Sequence, residues 1–76
     1  MYSYEQARKN AEKIADNIYN LHLKPGALDD GEWWVFLWEE EAPFDLICVH
    51  KNIGGICTYD PKAHPAFEKA VFVNHD

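Results

Sequence analysis

The stretch "EWWVFLW", residues 32–38, constrains this chain more than any other feature, because large apolar side chains fill every position from Trp33 to Trp38. Aromatic and β-branched residues suit a pleated surface, and the run contains no helix-capping chemistry, so it predicts a first strand over 32–38. Side chains alternate across a strand, which puts Trp34, Phe36 and Trp38 on one face and Trp33, Val35 and Leu37 on the other. Both faces are apolar. One amphipathic helix buries only one of them, so the second must be covered by the C-terminal segment "PAFEKAVFV", by another copy of the chain, or by a partner.

A helix suited to the first face precedes the strand. Ser3 followed by Gln6 reads as a capping box, in which the Ser3 hydroxyl accepts from the third helical N–H and Gln6 reaches back. From Tyr4 onward, Ala7, Ala11, Ile14, Ala15, Ile18 and Leu21 fall within an arc of roughly 120° at the helical period. The helix is expected over about residues 4–22 and ends at "LKPG", where Pro25 lacks a donor and biases Lys24 away from helical geometry. Ala7, Ala11 and Ala15 form a ridge of small side chains that lets the helix approach a sheet of large ones.

After "EEEAP", the run "FDLICVH" predicts a second strand at about 44–50 and "GICTY" a third at about 55–59, joined by a hairpin turn at "KNIGG". Asp60-Pro61 and His64-Pro65 each read as a cap followed by proline at a first helical position. The segment "AFEKAVFVN" is then expected as a short helix from near Pro65 with an extended end. The fold class is α+β: an N-terminal amphipathic helix packed on a three-stranded antiparallel sheet, with a short C-terminal helix or strand, all in a single small domain over residues 1–76. At 76 residues, one core only just offsets chain entropy. With 47% hydrophobic residues the chain is too apolar for a disordered tail.

The formal net charge of −6 is concentrated. Between Pro25 and Asp45 lie Asp29, Asp30, Glu32, Glu39, Glu40, Glu41 and Asp45, without a lysine or arginine. These carboxylates bracket the aromatic strand, at ends separated by roughly 23 Å for about 3.3 Å per residue. Solvated loops of this kind guard a sticky strand against edge-to-edge pairing. The same charge also attracts a basic partner and rejects acidic competitors. In the second reading Trp33 or Trp38 supplies the desolvated anchor that charge alone lacks.

In charge and size, this segment resembles those of small inhibitors such as immunity, anti-restriction and anti-CRISPR proteins, which occupy basic nucleic-acid sites on larger proteins. The resemblance implies a non-enzymatic binding protein that engages a basic, nucleic-acid-handling partner through Asp29, Asp30, Glu32, Trp33, Trp38, Glu39, Glu40, Glu41 and Asp45. The alternative is a homodimerisation module with its aromatic strand buried at the interface. Direct nucleic-acid binding is disfavoured, because the basic residues form no patch and the net charge opposes a polyanion.

Chemistry finds little support. Cys48 and His50 share a strand face, Cys57 lies across the hairpin, and His64 or His22 offers a fourth ligand for tetrahedral zinc, but the spacing lacks paired C-x-x-C. Small buried cysteines in a core account for the same residues. A thiol nucleophile needs partial exposure, whereas both cysteines fall inside strands. No cofactor is expected, and "NIGG" lacks the lysine and following helix of a phosphate loop. The charged N-terminus carries no signal-like apolar region and no stretch is long enough to span a membrane, so a reducing cytoplasm is expected.

Overall fold

The computed structural model describes residues 1–73. Helix α1, Tyr4–Ile14, starts at the capping box. The Ser3 hydroxyl accepts from the Gln6 amide at 3.2 Å and Gln6 Oε1 accepts from the Ser3 amide at 3.0 Å. The helix does not run on to residue 22. From Ala15 to Tyr19 it widens into a π-helical turn, and Asn20 closes it in the left-handed conformation at φ 54°. The wider i→i+5 turn changes the rotation per residue. Ile18, placed on the buried arc by a uniform helical period, is 68% exposed.

Among the described residues the sheet has five strands, where the sequence reading gives three: β1 Ala27–Asp29, β2 Trp33–Phe36, β3 Leu46–His50, β4 Ile56–Tyr59 and β5 Val71–Val73. All neighbours are antiparallel, in the order β4-β3-β2-β1-β5. The central meander β2-β3-β4 is the expected one, with slightly shorter strands. Trp38 lies beyond β2 and forms an isolated bridge to Leu23. The two added strands have three residues each and pair with one another although far apart in sequence, Ala27 against Val73. Neither is long enough to show alternation, and their pairing has no local signal. The segment from Pro65 to Lys69 is a 3-10 helix, followed by β5. Asn74, the last residue of the expected extended end, lies outside the described residues.

The ridge of small side chains works as the spacing implies. Ala7 and Ala11 are fully buried and Ala15 nearly so, against Trp34, Phe36, Trp38, Ile47 and Val49 on the facing sheet. Tyr4 meets Trp34 edge-on, with ring centroids 6.1 Å apart, and its hydroxyl accepts from the Gly26 amide at 3.0 Å. Gly26 has a φ of 81°, and a Cβ there would come within 2.6 Å of the Phe72 ring and 2.7 Å of the Val73 carbonyl oxygen. Only glycine permits the backbone entering β1 to pass this close to β5.

The second sheet face is covered from within the chain. Val35, Cys48 and Tyr59 are buried there, with Phe67 of the 3-10 helix Pro65–Lys69 packed on them. His64 stacks on Tyr59 at 4.1 Å. Of the three ways to cover this face, the C-terminal segment is the one used. The Tyr59 ring lies across the sheet, and its hydroxyl donates to Asp30 Oδ2 at 2.7 Å.

Two substitutions probe these layers. Ala11→Leu forces extra volume between helix and sheet and should destabilise the protein by about 1–3 kcal/mol in chemical denaturation. Tyr59→Phe removes the donor to Asp30 and should cost about 1–3 kcal/mol. Burial alone raises the Asp30 pKa, but the Tyr59 hydroxyl and the Trp33 and Glu32 amides together bring it below the ordinary 3.8. A carboxylate depressed on folding contributes stability above its unfolded pKa and loses it as pH falls through the folded value. The decline in stability below about pH 4 should therefore be shallower in Tyr59→Phe than in the wild type.

Candidate protein-binding surface

The two acidic clusters have similar compositions and different fates. In the first, Asp29 receives Lys51 Nζ on both carboxylate oxygens, at 3.0 and 2.9 Å. The same ammonium sits 4.7 Å from the centroid of the Trp34 ring. Asp30 Oδ1 accepts from the amides of Glu32 and Trp33 at 2.9 and 2.7 Å, which builds the β1–β2 turn. Glu32 meets His50 Nε2 at 3.2 Å. The cluster is a self-satisfied turn. Its carboxylates are already engaged by the chain that carries them.

The two tryptophans named with these carboxylates are also packed within the fold. Trp38 is 7% exposed, lies 5.2 Å from the Tyr19 ring, and donates its indole N–H to the Asp45 carbonyl at 3.2 Å. Trp33 is half-buried, edge-on to His50 at 4.7 Å and packed on the Val35 cluster. Strand β2 occupies the middle of the sheet with cover on both faces. An interface between copies through the aromatic strand would therefore have to displace the chain's own layers.

The second cluster, at the opposite end of β2, is partly engaged. Glu40 accepts from the His22 amide at 2.9 Å and meets His22 Nδ1 at 2.6 Å. These contacts pin the loop after Trp38 to the segment after the helix, and the Glu39 amide donating to the His22 carbonyl at 2.8 Å reinforces them. Glu39, Glu41 and Asp45 are exposed, and among the described residues their carboxylates carry no hydrogen bond or ion pair.

Apolar surface adjoins these carboxylates. Phe44 is 48% exposed and leans on Tyr19, with centroids 5.0 Å apart. Tyr19 in turn lines a groove of about 260 Å³ with Ile14, Ile18, Ile47, Ile56, Cys57 and Thr58. The groove runs between the π-helical turn and β4, an edge strand. Sequence reasoning missed Ile18, Phe44 and Ile56. A useful signal was available for Phe44, which follows Pro43 in an acidic loop. None was available for Ile18, whose exposure depends on the π turn.

Cys48, His50 and Cys57 do not converge as a ligand set. Burial pushes the Cys48 thiol up to about 12 and it donates to the Cys57 carbonyl at 3.3 Å. His50 Nδ1 accepts from the Asn52 amide at 3.2 Å, which leaves Nε2 as the N–H that donates to Glu32. Among the described residues, no group of three His, Cys, Asp or Glu side chains is arranged to hold a metal ion. No helix is long and apolar enough to cross a membrane among those residues. Comparison of the chain with protein-family models, with curated proteins and with solved structures finds no match.

The hydrogen bond and charge of Glu40 raise the His22 pKa above 6.5, and His22 correspondingly lowers that of Glu40. A histidine raised on folding contributes stability below its unfolded pKa and loses it as pH rises through the folded value. An NMR titration should find His22 titrating above 6.5 in the wild type and closer to 6.5 in Glu40→Gln.

Proposed function

We propose that this chain is a small acidic binding protein that performs no chemistry of its own and blocks a basic surface on a nucleic-acid-handling protein. The contact surface is the loop from Glu39 to Asp45 together with the adjoining apolar groove. The observation that carries this reading is the company the exposed carboxylates keep. Glu39, Glu41 and Asp45 lie in the same loop as a half-exposed Phe44, which joins the groove through Tyr19. Charge of one sign speeds encounter with a basic partner and penalises an acidic one, while affinity needs a desolvated apolar anchor. Phe44 and Ile18 fill the role that the sequence reading gave to Trp33 and Trp38.

The carboxylates of Asp29, Asp30 and Glu32 contribute to the fold in this reading. The inhibitor class rests on the resemblance in charge and size to proteins that occupy basic nucleic-acid sites. A protein that covers such a site competes with the nucleic acid by occupying the same cations.

The test is capture from the native host or its target cell with the wild type and with the combined variant Glu39→Lys, Glu41→Lys, Asp45→Lys. A basic protein should come down with the wild type, lose its nucleic acid when the wild type is added, and bind the variant at least ~100-fold more weakly. Glu32→Gln should bind like the wild type. Equal capture by the charge-reversed variant contradicts the proposal.

A further inference from the structure

Among the described residues, no strand pairs with the outer edge of β4. In antiparallel ladders, directly opposed residues alternate between hydrogen-bonded and non-hydrogen-bonded pairs. The His50 amide donates to the Gly55 carbonyl at 2.8 Å, and the register continues through Cys48 opposite Cys57 and Leu46 opposite Tyr59. Cys57 and Tyr59 therefore turn their backbone groups toward β3. Ile56 and Thr58 turn theirs outward, where no further strand among the described residues pairs with them. Edge strands are usually protected by a lysine, a proline, a bulge or a covering loop. The sequence of β4, Ile-Cys-Thr-Tyr, contains neither lysine nor proline, and only Tyr59 is buried.

The side chains of Ile56 and Thr58 line the groove on the helix side. A strand added beside β4 would place alternate side chains over that same groove, against Ile14 and Ile18, as in recognition by strand addition. The Tyr59 end of β4 lies opposite Leu46, the residue after Asp45, so a strand running antiparallel to β4 would begin beside the acidic loop. The other open edge, β5, has different neighbours. It follows Lys69, and its Phe72 ring packs on Gly26, whose carbonyl accepts from Arg8 at 3.4 Å. Two copies of the chain would each bring a net charge of −6 to a mutual contact.

We propose that β4 receives an extended segment of the partner protein, paired antiparallel through the backbone of Ile56 and Thr58, with basic residues at its N-terminal end and alternating apolar residues after them. This inference rests on the proposed binding function and specifies how the partner is held. The apolar side chains enter the groove, and the basic end meets Glu39, Glu41 and Asp45.

The probe is a peptide capped at both ends, Arg-Arg-Lys-Val-Thr-Val-Thr-Val, titrated into the isotopically labelled protein by NMR. Saturable shifts are expected at Ile18, Ile56 and Thr58, with at least ~10-fold slower amide exchange at Ile56 and Thr58. Of two N-methylated peptides, one methylated at its valines and the other at its threonines, one should lose at least ~10-fold in affinity and the other should bind like the parent. Replacing Arg-Arg-Lys by Glu-Glu-Glu should abolish binding. Thr58→Pro, which removes an outward donor and leaves the β3 ladder whole, should weaken the parent peptide at least ~10-fold with little change in melting temperature. No saturable binding up to about 1 mM overturns the inference. So does equal binding by both N-methylated peptides, or a solution mass of two chains with Ile56 and Thr58 already protected. If charge reversal of the loop weakens binding but N-methylation and Thr58→Pro do not, the strand pairing fails while the acidic binding surface stands. If charge reversal has no effect, the binding function itself fails.

Discussion

Every layer of this protein is arranged around a central strand with no polar face. Val35 and Phe36 are fully buried on opposite sides of β2, which forces the chain to build cover twice. The helix does this on one side because its alanines let large sheet residues approach. The C-terminal 3-10 segment does it on the other by laying Phe67 and His64 against Tyr59. In a chain of 76 residues that leaves little for separate functional machinery. The remaining options lie at the ends and edges of the sheet.

Charge is used in two ways at those ends. Carboxylates at the β1–β2 turn accept hydrogen bonds from backbone amides, from Tyr59 and from Lys51, so they are structural groups, and Lys51 compensates the charge of Asp29. Carboxylates after β2 are mostly left in solvent, with Glu40 alone given to His22 to hold the loop. Net charge along the sequence treats the two clusters as equivalent. Their difference arises because Lys51 and Tyr59, distant in sequence, fold back to only one of them.

Local chemistry was legible and long-range pairing was not. Ser3 and Gln6 marked the helix start, the alanine ridge marked its buried face, and the alternation from Trp33 to Trp38 marked a strand that needs two covers. Strands Ala27–Asp29 and Val71–Val73 were invisible because each is short, and β5 pairs with β1 far away in the sequence. The exposed carboxylates of the candidate surface stand out in the sequence as part of an acidic run, whereas its apolar residues do not. Ile18 looks buried under a uniform 3.6-residue period and becomes exposed only where the helix widens at Ala15. Ile56 looks like core in a sheet of unknown order and becomes groove lining once β4 is an edge.

The central claim is that binding uses the end of the molecule where charge is uncompensated and apolar surface is open. The most direct measurement is hydrogen exchange by mass spectrometry on the protein alone and with its captured partner. New protection is expected over residues 14–19, 39–45 and 56–58, with residues 29–33 unchanged. Protection confined to residues 29–33 would place the partner on the self-satisfied turn and contradict the claim.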